Sequence, residues 1–196
     1  MMDQKEIISF FNRCAPTWDA EMIKDDRVIS EILNHAEIGP GKRVLDVACG
    51  TGVLIPYYLS RNTLSVTGID ISPEMIRIAE KNFPQENVHF VCRDVEAYTA
   101  EERFDCVMVY NAFPHFPDPD RLIAKLCTLG KPGGTVTVAH GMSREKINRH
   151  HSNVMHVSKE LMSEKELSDI FRSCGLEVKS VISDENMYLV TGKSIA

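Results

Sequence analysis

The sequence predicts an α/β fold: a Rossmann-like, doubly wound, mostly parallel seven-stranded sheet with a C-terminal antiparallel hairpin and an N-terminal helical cap. Three observations lead there. Short β-rich apolar runs alternate with segments long enough for crossovers, as parallel strands require. The first run ends in a glycine turn, Asp46-Val47-Ala48-Cys49-Gly50-Thr51-Gly52. The last two runs are separated only by Ser183-Asp184-Glu185-Asn186, a hairpin connection.

The first five strands are expected at Arg43–Ala48, Ser65–Ile71, Val88–Cys92, Cys106–Tyr110 and Thr135–His140. Continuous apolar stretches such as Val107-Met108-Val109 suit strands buried on both faces. Ser72-Pro73-Glu74 supplies a capping hydroxyl, a proline at the first helical position and an acid at the positive end of the dipole, so a helix is expected over Pro73–Asn82. Pro56 falls among the first four residues of a helix starting near Gly52, where no N–H has an intrahelical partner. Lys131-Pro132-Gly133-Gly134 stops a helix over Asp120–Leu129.

Before the first strand, helices are expected at Gln4–Arg13 and Asp19–Ala36, flanking the sole tryptophan, Trp18. This organises the chain as a single domain: a cap over 1–40, a core over 41–140, an insertion over 141–160, and a final helix (Ser163–Ser173) and hairpin (Leu176–Ile182, Met187–Thr191) over 161–196. The insertion is polar, with one short helix at Ser143–His150, and reads as a solvated excursion.

Composition narrows the function classes. A net charge of −6 offers no broad attraction to phosphate backbones or anionic lipid, so no nucleic-acid or membrane partner is expected. The first residues lack the order of a secretory leader, and a cytoplasmic protein, monomeric or homodimeric, is expected. The six cysteines are widely spaced without a Cys-x-x-Cys pair, and are expected to be reduced and mostly buried as small hydrophobes.

The chemistry is expected at the carboxyl ends of the strands, where open parallel sheets bind ligands. A dinucleotide turn counted from Gly50 needs glycine at position 55, which is Ile55, and no Gly-Lys-Ser/Thr ending follows for a P-loop. Asp46, at the loop entrance, would repel a diphosphate and attract an ammonium or sulfonium group. Asp70 ends the second strand, where an acid can accept both ribose hydroxyls. Asp94 ends the third and can accept from an adenine amino group, with Ile71 and Val95 covering the ring.

On Val44–Gly52, Gly68–Ile71, Arg93–Val95 and Phe104–Asn111, the chain resembles the class I S-adenosylmethionine-dependent methyltransferases of small-molecule type. The resemblance covers residues 40 to 140 and implies S-adenosyl-L-methionine as cofactor and S-adenosylhomocysteine as product. It implies that Gly50 and Gly52 hold the methionine part, Asp70 the ribose and Asp94 the adenine, with Asp46, Ala48, Ile71, Met75, Val95 and Asn111 completing the cofactor site. The run Asn111-Ala112-Phe113-Pro114 departs from the Asn/Asp-Pro-Pro-aromatic pattern of base-modifying relatives.

A methyltransferase acting on a small-molecule acceptor by in-line displacement is therefore expected. A non-catalytic cofactor-binding or assembly protein of the same fold, or an enzyme methylating protein side chains, stays open as an alternative. His115 and His140 are the candidate general bases, each also readable as an ordinary loop or strand-end histidine. His140, His150, His151 and His156 are spaced by ten, one and five residues, which matches no standard zinc pattern, so metal binding is left undecided.

Overall fold

The computed structural model describes residues 3–151 and 157–195; the side chains of His150 and His151 lie outside the description, as does all of His156. Its elements run α1 (Gln4–Cys14), α2 (Trp18–Glu21), α3 (Asp26–His35), β1 (Arg43–Val47), α4 (Ile55–Ser60), β2 (Ser65–Asp70), α5 (Pro73–Asn82), β3 (Val88–Cys92), β4 (Phe104–Tyr110), α6 (Pro119–Leu129), β5 (Gly130–His140), α7 (Arg144–His151), α8 (Glu164–Ser173), β6 (Leu176–Ser183) and β7 (Tyr188–Ser194).

The seven strands form one sheet in the order β3-β2-β1-β4-β5-β7-β6. The first five are parallel, while β7 runs antiparallel to β5 and to β6. Order therefore reverses beside β1, which lies between β2 and β4.

Alternating side chains feed two cores because helices cover both faces. Leu45, Val107, Val109, Val136 and Val138 pack with Leu122, Leu126, Leu167 and Phe171 of α6 and α8. Val44, Val66, Cys106 and Met108 pack with Ile29, Ile32 and Leu33 of α3 and Tyr58 of α4. Truncation to alanine of a fully buried residue such as Met108 costs about 2–5 kcal/mol in a core of this kind.

The signals for α5 act as read: Ser72 Oγ accepts from the Met75 N–H, with Pro73 in the first turn. α8 carries a full capping box between Ser163 and Glu166. Several expectations need correction. The expected helix Asp19–Ala36 is two helices, because Met22 is extended and the Asp25 side chain caps a new start by accepting from the Arg27 and Val28 N–H groups. β5 begins five residues early, at Gly130, because the Lys131–Gly134 punctuation is absorbed as an irregularity in its pairing with β4.

The 141–160 insertion is not simply solvated. Ile147 of α7 is buried, and the Asn148 side chain holds both the N–H and the carbonyl of Leu161, folding the segment back on the core. All six cysteines are free thiols, but only Cys49 and Cys106 are buried; Cys14, Cys127 and Cys174 are half-buried and Cys92 is exposed. Among the described residues, no helix is long and apolar enough to cross a membrane.

Candidate active site

A cleft of about 750 Å³ opens at the carboxyl ends of the parallel strands, within the size range of small-molecule sites. The strand order fixes the sequence of groups along it. Asp94 follows β3, Asp70 ends β2, Ala48 and Cys49 follow β1, Asn111 follows β4 and His140 ends β5; all line the cleft. Four strand spacings separate the two ends, roughly 19 Å at ordinary spacing.

The turn after β1 is built by conformation as much as by space. Ala48, Gly50 and Gly52 have φ of 56°, 56° and 91°. Among the described residues, a Cβ on Gly50 would meet only Trp18 Nε1, at 3.7 Å. At Gly52 a Cβ would lie 2.7 Å from the Phe83 ring, so that glycine serves the packing of the turn. Asn111, at φ 53°, mirrors Ala48 at the end of the neighbouring strand, and its Oδ1 accepts from the Gly141 N–H at 2.9 Å. Left-handed conformations at two non-glycine residues on adjacent strand ends are the kind of strain that collects at binding sites.

Asp70 is nearly buried and held from both sides: Oδ2 accepts from the Gly50 N–H at 2.9 Å and Oδ1 from the Ser72 N–H at 2.8 Å. Burial pushes its carboxyl up, and these backbone donors oppose the shift. Each oxygen keeps a further lone pair for a diol. Asp94 Oδ1 accepts from the Glu96 N–H and Oδ2 from Gln4 Nε2 at 2.6 Å. Ile71 and Val95 stand beside these acids on the wall.

Four predicted residues do not reach the wall: Asp46, Gly50, Gly52 and Met75. Asp46 is no entrance charge. It is 2% exposed beneath the turn, and burial pushes its carboxyl up to about 8, opposed by the Tyr58 hydroxyl and reinforced by Asp70. Among the described residues, neither its Oδ2 nor the Tyr58 hydroxyl has a close hydrogen-bond partner. A carboxyl so placed is mostly neutral near pH 7. Met75 is fully buried in α5 and supplies the N–H that Ser72 caps.

His115 and His140 both line the cleft. His115 Nδ1 lies 2.8 Å from the Val157 carbonyl, so Nδ1 donates and in the neutral ring the basic lone pair is on Nε2. The Phe11 ring meets the imidazole edge-on, with centroids 4.9 Å apart. The loop itself is pinned where the Lys159 N–H donates to the Pro114 carbonyl. His140 is buried, its ring 6.0 Å from that of Tyr188. Among the described residues no three metal-ligating side chains gather; the other histidines of the predicted cluster have side chains outside the description.

The N-terminal helices roof the cleft, through contacts that sequence reading missed. Asn12 Oδ1 accepts from the Ser72 hydroxyl at 2.7 Å, and the Thr51 hydroxyl donates to Asp19 at 2.5 Å. Together with Gln4 on Asp94 and Phe11 on His115, α1 and α2 touch the turns after β1, β2, β3 and β4. Polar helix side chains such as Gln4, Asn12 and Asp19 carry no signal of partners 32 to 90 residues away. Phe10, Phe11, Phe116, Met142 and Ile147 give the cleft apolar lining, with Phe11 against His115, and the strongly exposed Ile23 also lines it.

The methyltransferase-domain family model matches residues 44–134, the stretch that carries the glycine turn, Asp70, Asp94 and Asn111. The chain belongs to the class I S-adenosylmethionine-dependent methyltransferase family. It is 33% identical over 141 residues to the ubiquinone biosynthesis O-methyltransferase of Coxiella burnetii, covering 68% of this chain and 60% of that one. It is 32% identical over 139 residues to the malonyl-[acyl-carrier protein] O-methyltransferase of Acetivibrio thermocellus, covering 69% and 49%. The match thus spans 60% or less of the length of these two curated relatives. Among solved structures, the DhpI–SAH complex shares the fold, with a TM-score of 0.74 at 21% identity over 98% of this chain and 97% of that one.

Proposed function

We propose that this class I methyltransferase moves a methyl group from S-adenosylmethionine to a hydroxyl oxygen of a small, neutral, largely apolar acceptor. The observation that carries the reading is the polarity of the cleft, acidic at the β2–β3 end and apolar around a tautomer-fixed His115 at the β4 end. The residues fit the cofactor: carboxylates at the ends of neighbouring strands for a ribose and an adenine amino group, the turn after β1 on the other side of Asp70, and Ile71 and Val95 as apolar neighbours for the base.

S-adenosylmethionine, when bound, supplies a methyl carbon already activated by its sulfonium. The chain's part is then to position, to exclude water and to take one proton. Asp70 and Asp94 orient the nucleoside, with Ile71 and Val95 against the base. The roof of α1 and α2 and the side chains of Phe11, Phe116 and Met142 keep water from the acceptor. His115 Nε2 accepts the hydroxyl proton as the oxygen attacks, the Val157 carbonyl stabilising the imidazolium through Nδ1. His140, more deeply buried, shapes the floor.

The wall supports a neutral acceptor. Among the described residues lining the cleft, the only Lys or Arg is Arg93, beside Asp94 at the adenine end, while Glu21 lies on the α2 side. A carboxylate acceptor would enter with no cation to meet it, at a desolvation cost of several kcal/mol. Both curated relatives are named as O-methyltransferases, which supports oxygen as the acceptor atom.

A screen of phenols, aliphatic alcohols, carboxylates, thiols and amines for release of S-adenosylhomocysteine tests this. Turnover is expected with apolar phenols first. Preferred turnover of a carboxylate would contradict the acceptor class.

A further inference from the structure

Gln4 donates from Nε2 to Asp94 Oδ2 at 2.6 Å, and both residues line the cleft. Asp94 is otherwise held by the Glu96 N–H on its other oxygen. The acid assigned to the adenine amino group is therefore gripped by the roof before any ligand is considered. Resting on the cofactor reading above, we infer that Gln4 is a specificity-determining residue for the adenine base, carried to it by α1.

The chemistry follows from donor and acceptor counting. A carboxylate only accepts, so Asp94 dictates which way round the carboxamide sits: its nitrogen faces Asp94 and its oxygen faces away. The exocyclic amino group of adenine has two hydrogens. Asp94 satisfies one, and the Gln4 carboxamide oxygen is an acceptor for the other. A 6-oxo base presents an oxygen in place of that amino group and meets two acceptors. Gln4 cannot turn over to accommodate it without setting its own oxygen against Asp94. Adenine recognition through a carboxamide is familiar chemistry in other settings.

The location of Gln4 gives this a second consequence. The same α1 carries Asn12, which accepts from the Ser72 hydroxyl, while the Ser72 N–H orients Asp70. Gln4 and Asn12 tie one helix to the adenine end and to the ribose end of the site, but only Gln4 is placed to distinguish one base from another.

The test is calorimetric titration of the full chain and its Gln4→Ala and Asn12→Ala variants with S-adenosylhomocysteine and with S-inosylhomocysteine, its 6-oxo counterpart. The wild type is expected to prefer the adenine compound. Gln4→Ala is expected to weaken it about fivefold, the share of one hydrogen bond, while leaving the 6-oxo compound unweakened, so that the preference narrows. Asn12→Ala is expected to weaken both ligands alike and keep the ratio. An unchanged ratio in Gln4→Ala, whether through equal losses or no loss, overturns the inference. Failure of the wild type to bind either compound overturns the cofactor reading itself, and this inference with it.

Discussion

Asp70 bridges two backbone turns: one carboxylate oxygen accepts from the Gly50 N–H at 2.9 Å and the other from the Ser72 N–H at 2.8 Å. A single side chain thereby ties the glycine turn after β1 to the start of α5, and it does so while facing the cleft. Asp70→Asn puts an NH₂ against one of those N–H donors. We expect a loss of about 1–3 kcal/mol in stability, the cost of an unsatisfied buried donor, together with weaker cofactor binding. Urea denaturation of the two proteins checks the first effect; an unchanged midpoint would mean the bridge contributes nothing.

His115 is assigned the proton. His115→Gln keeps a polar side chain at the site but removes the base, and a fall in kcat of about 10²–10⁴ is expected with S-adenosylhomocysteine affinity unchanged. The deficit should shrink as pH rises toward the acceptor's own pKa, because a deprotonated acceptor needs no base. Initial rates across pH, measured with the best acceptor, decide it. A constant deficit at every pH would point to positioning instead.

Asp46 makes stability depend on pH in an unusual direction. Its folded carboxyl is raised to about 8, whereas an unfolded aspartate titrates near its ordinary value. Between those values the folded chain holds a proton that the unfolded chain has released, so this residue's contribution falls as pH rises from about 4 and levels off above about 8. Asp46→Asn removes the titration. Tm measured from pH 5 to pH 8 should decline less in the variant than in the wild type; parallel curves would contradict the buried, protonated state.

Trp18 offers a reading without mutation. It is the only tryptophan of the chain, and its Nε1 sits 3.7 Å from the Cβ position of Gly50. A ligand on the turn after β1 is expected to change its emission and to shield it from acrylamide, saturating at the same Kd that calorimetry gives. Unaltered emission through a saturating titration would place the ligand elsewhere.

Much of this arrangement was legible in the chain. The strands announce themselves because both sheet faces are covered, which makes β4 a continuous apolar run from Cys106 to Val109. Neighbouring parallel strands end together, β2 at Asp70 opposite β3 at Cys92, so Asp70 and, two residues further on, Asp94 could be placed at one end of the sheet by counting. What escaped is tertiary. Nothing local tells that Asp46 turns under the glycine turn toward Tyr58, since the side of a strand from which an end residue is approached depends on the next helix. The break at Met22–Asp25 coincides with the charged run Lys24-Asp25-Asp26-Arg27, in which Asp25 acts as a helix cap and not as a solvated helix residue, and Gln4, Asn12 and Asp19 look like ordinary solvated helix residues until the roof is folded over the sheet.

If Asp70 anchors S-adenosylmethionine in this cleft, titration calorimetry of S-adenosylmethionine into the wild type and Asp70→Ala will show it. The prediction is saturable one-to-one binding by the wild type and affinity at least about tenfold weaker in the variant, the share of charge-assisted hydrogen bonds to the ribose. Absence of binding by the folded wild type, or equal affinity in the two proteins, would contradict it.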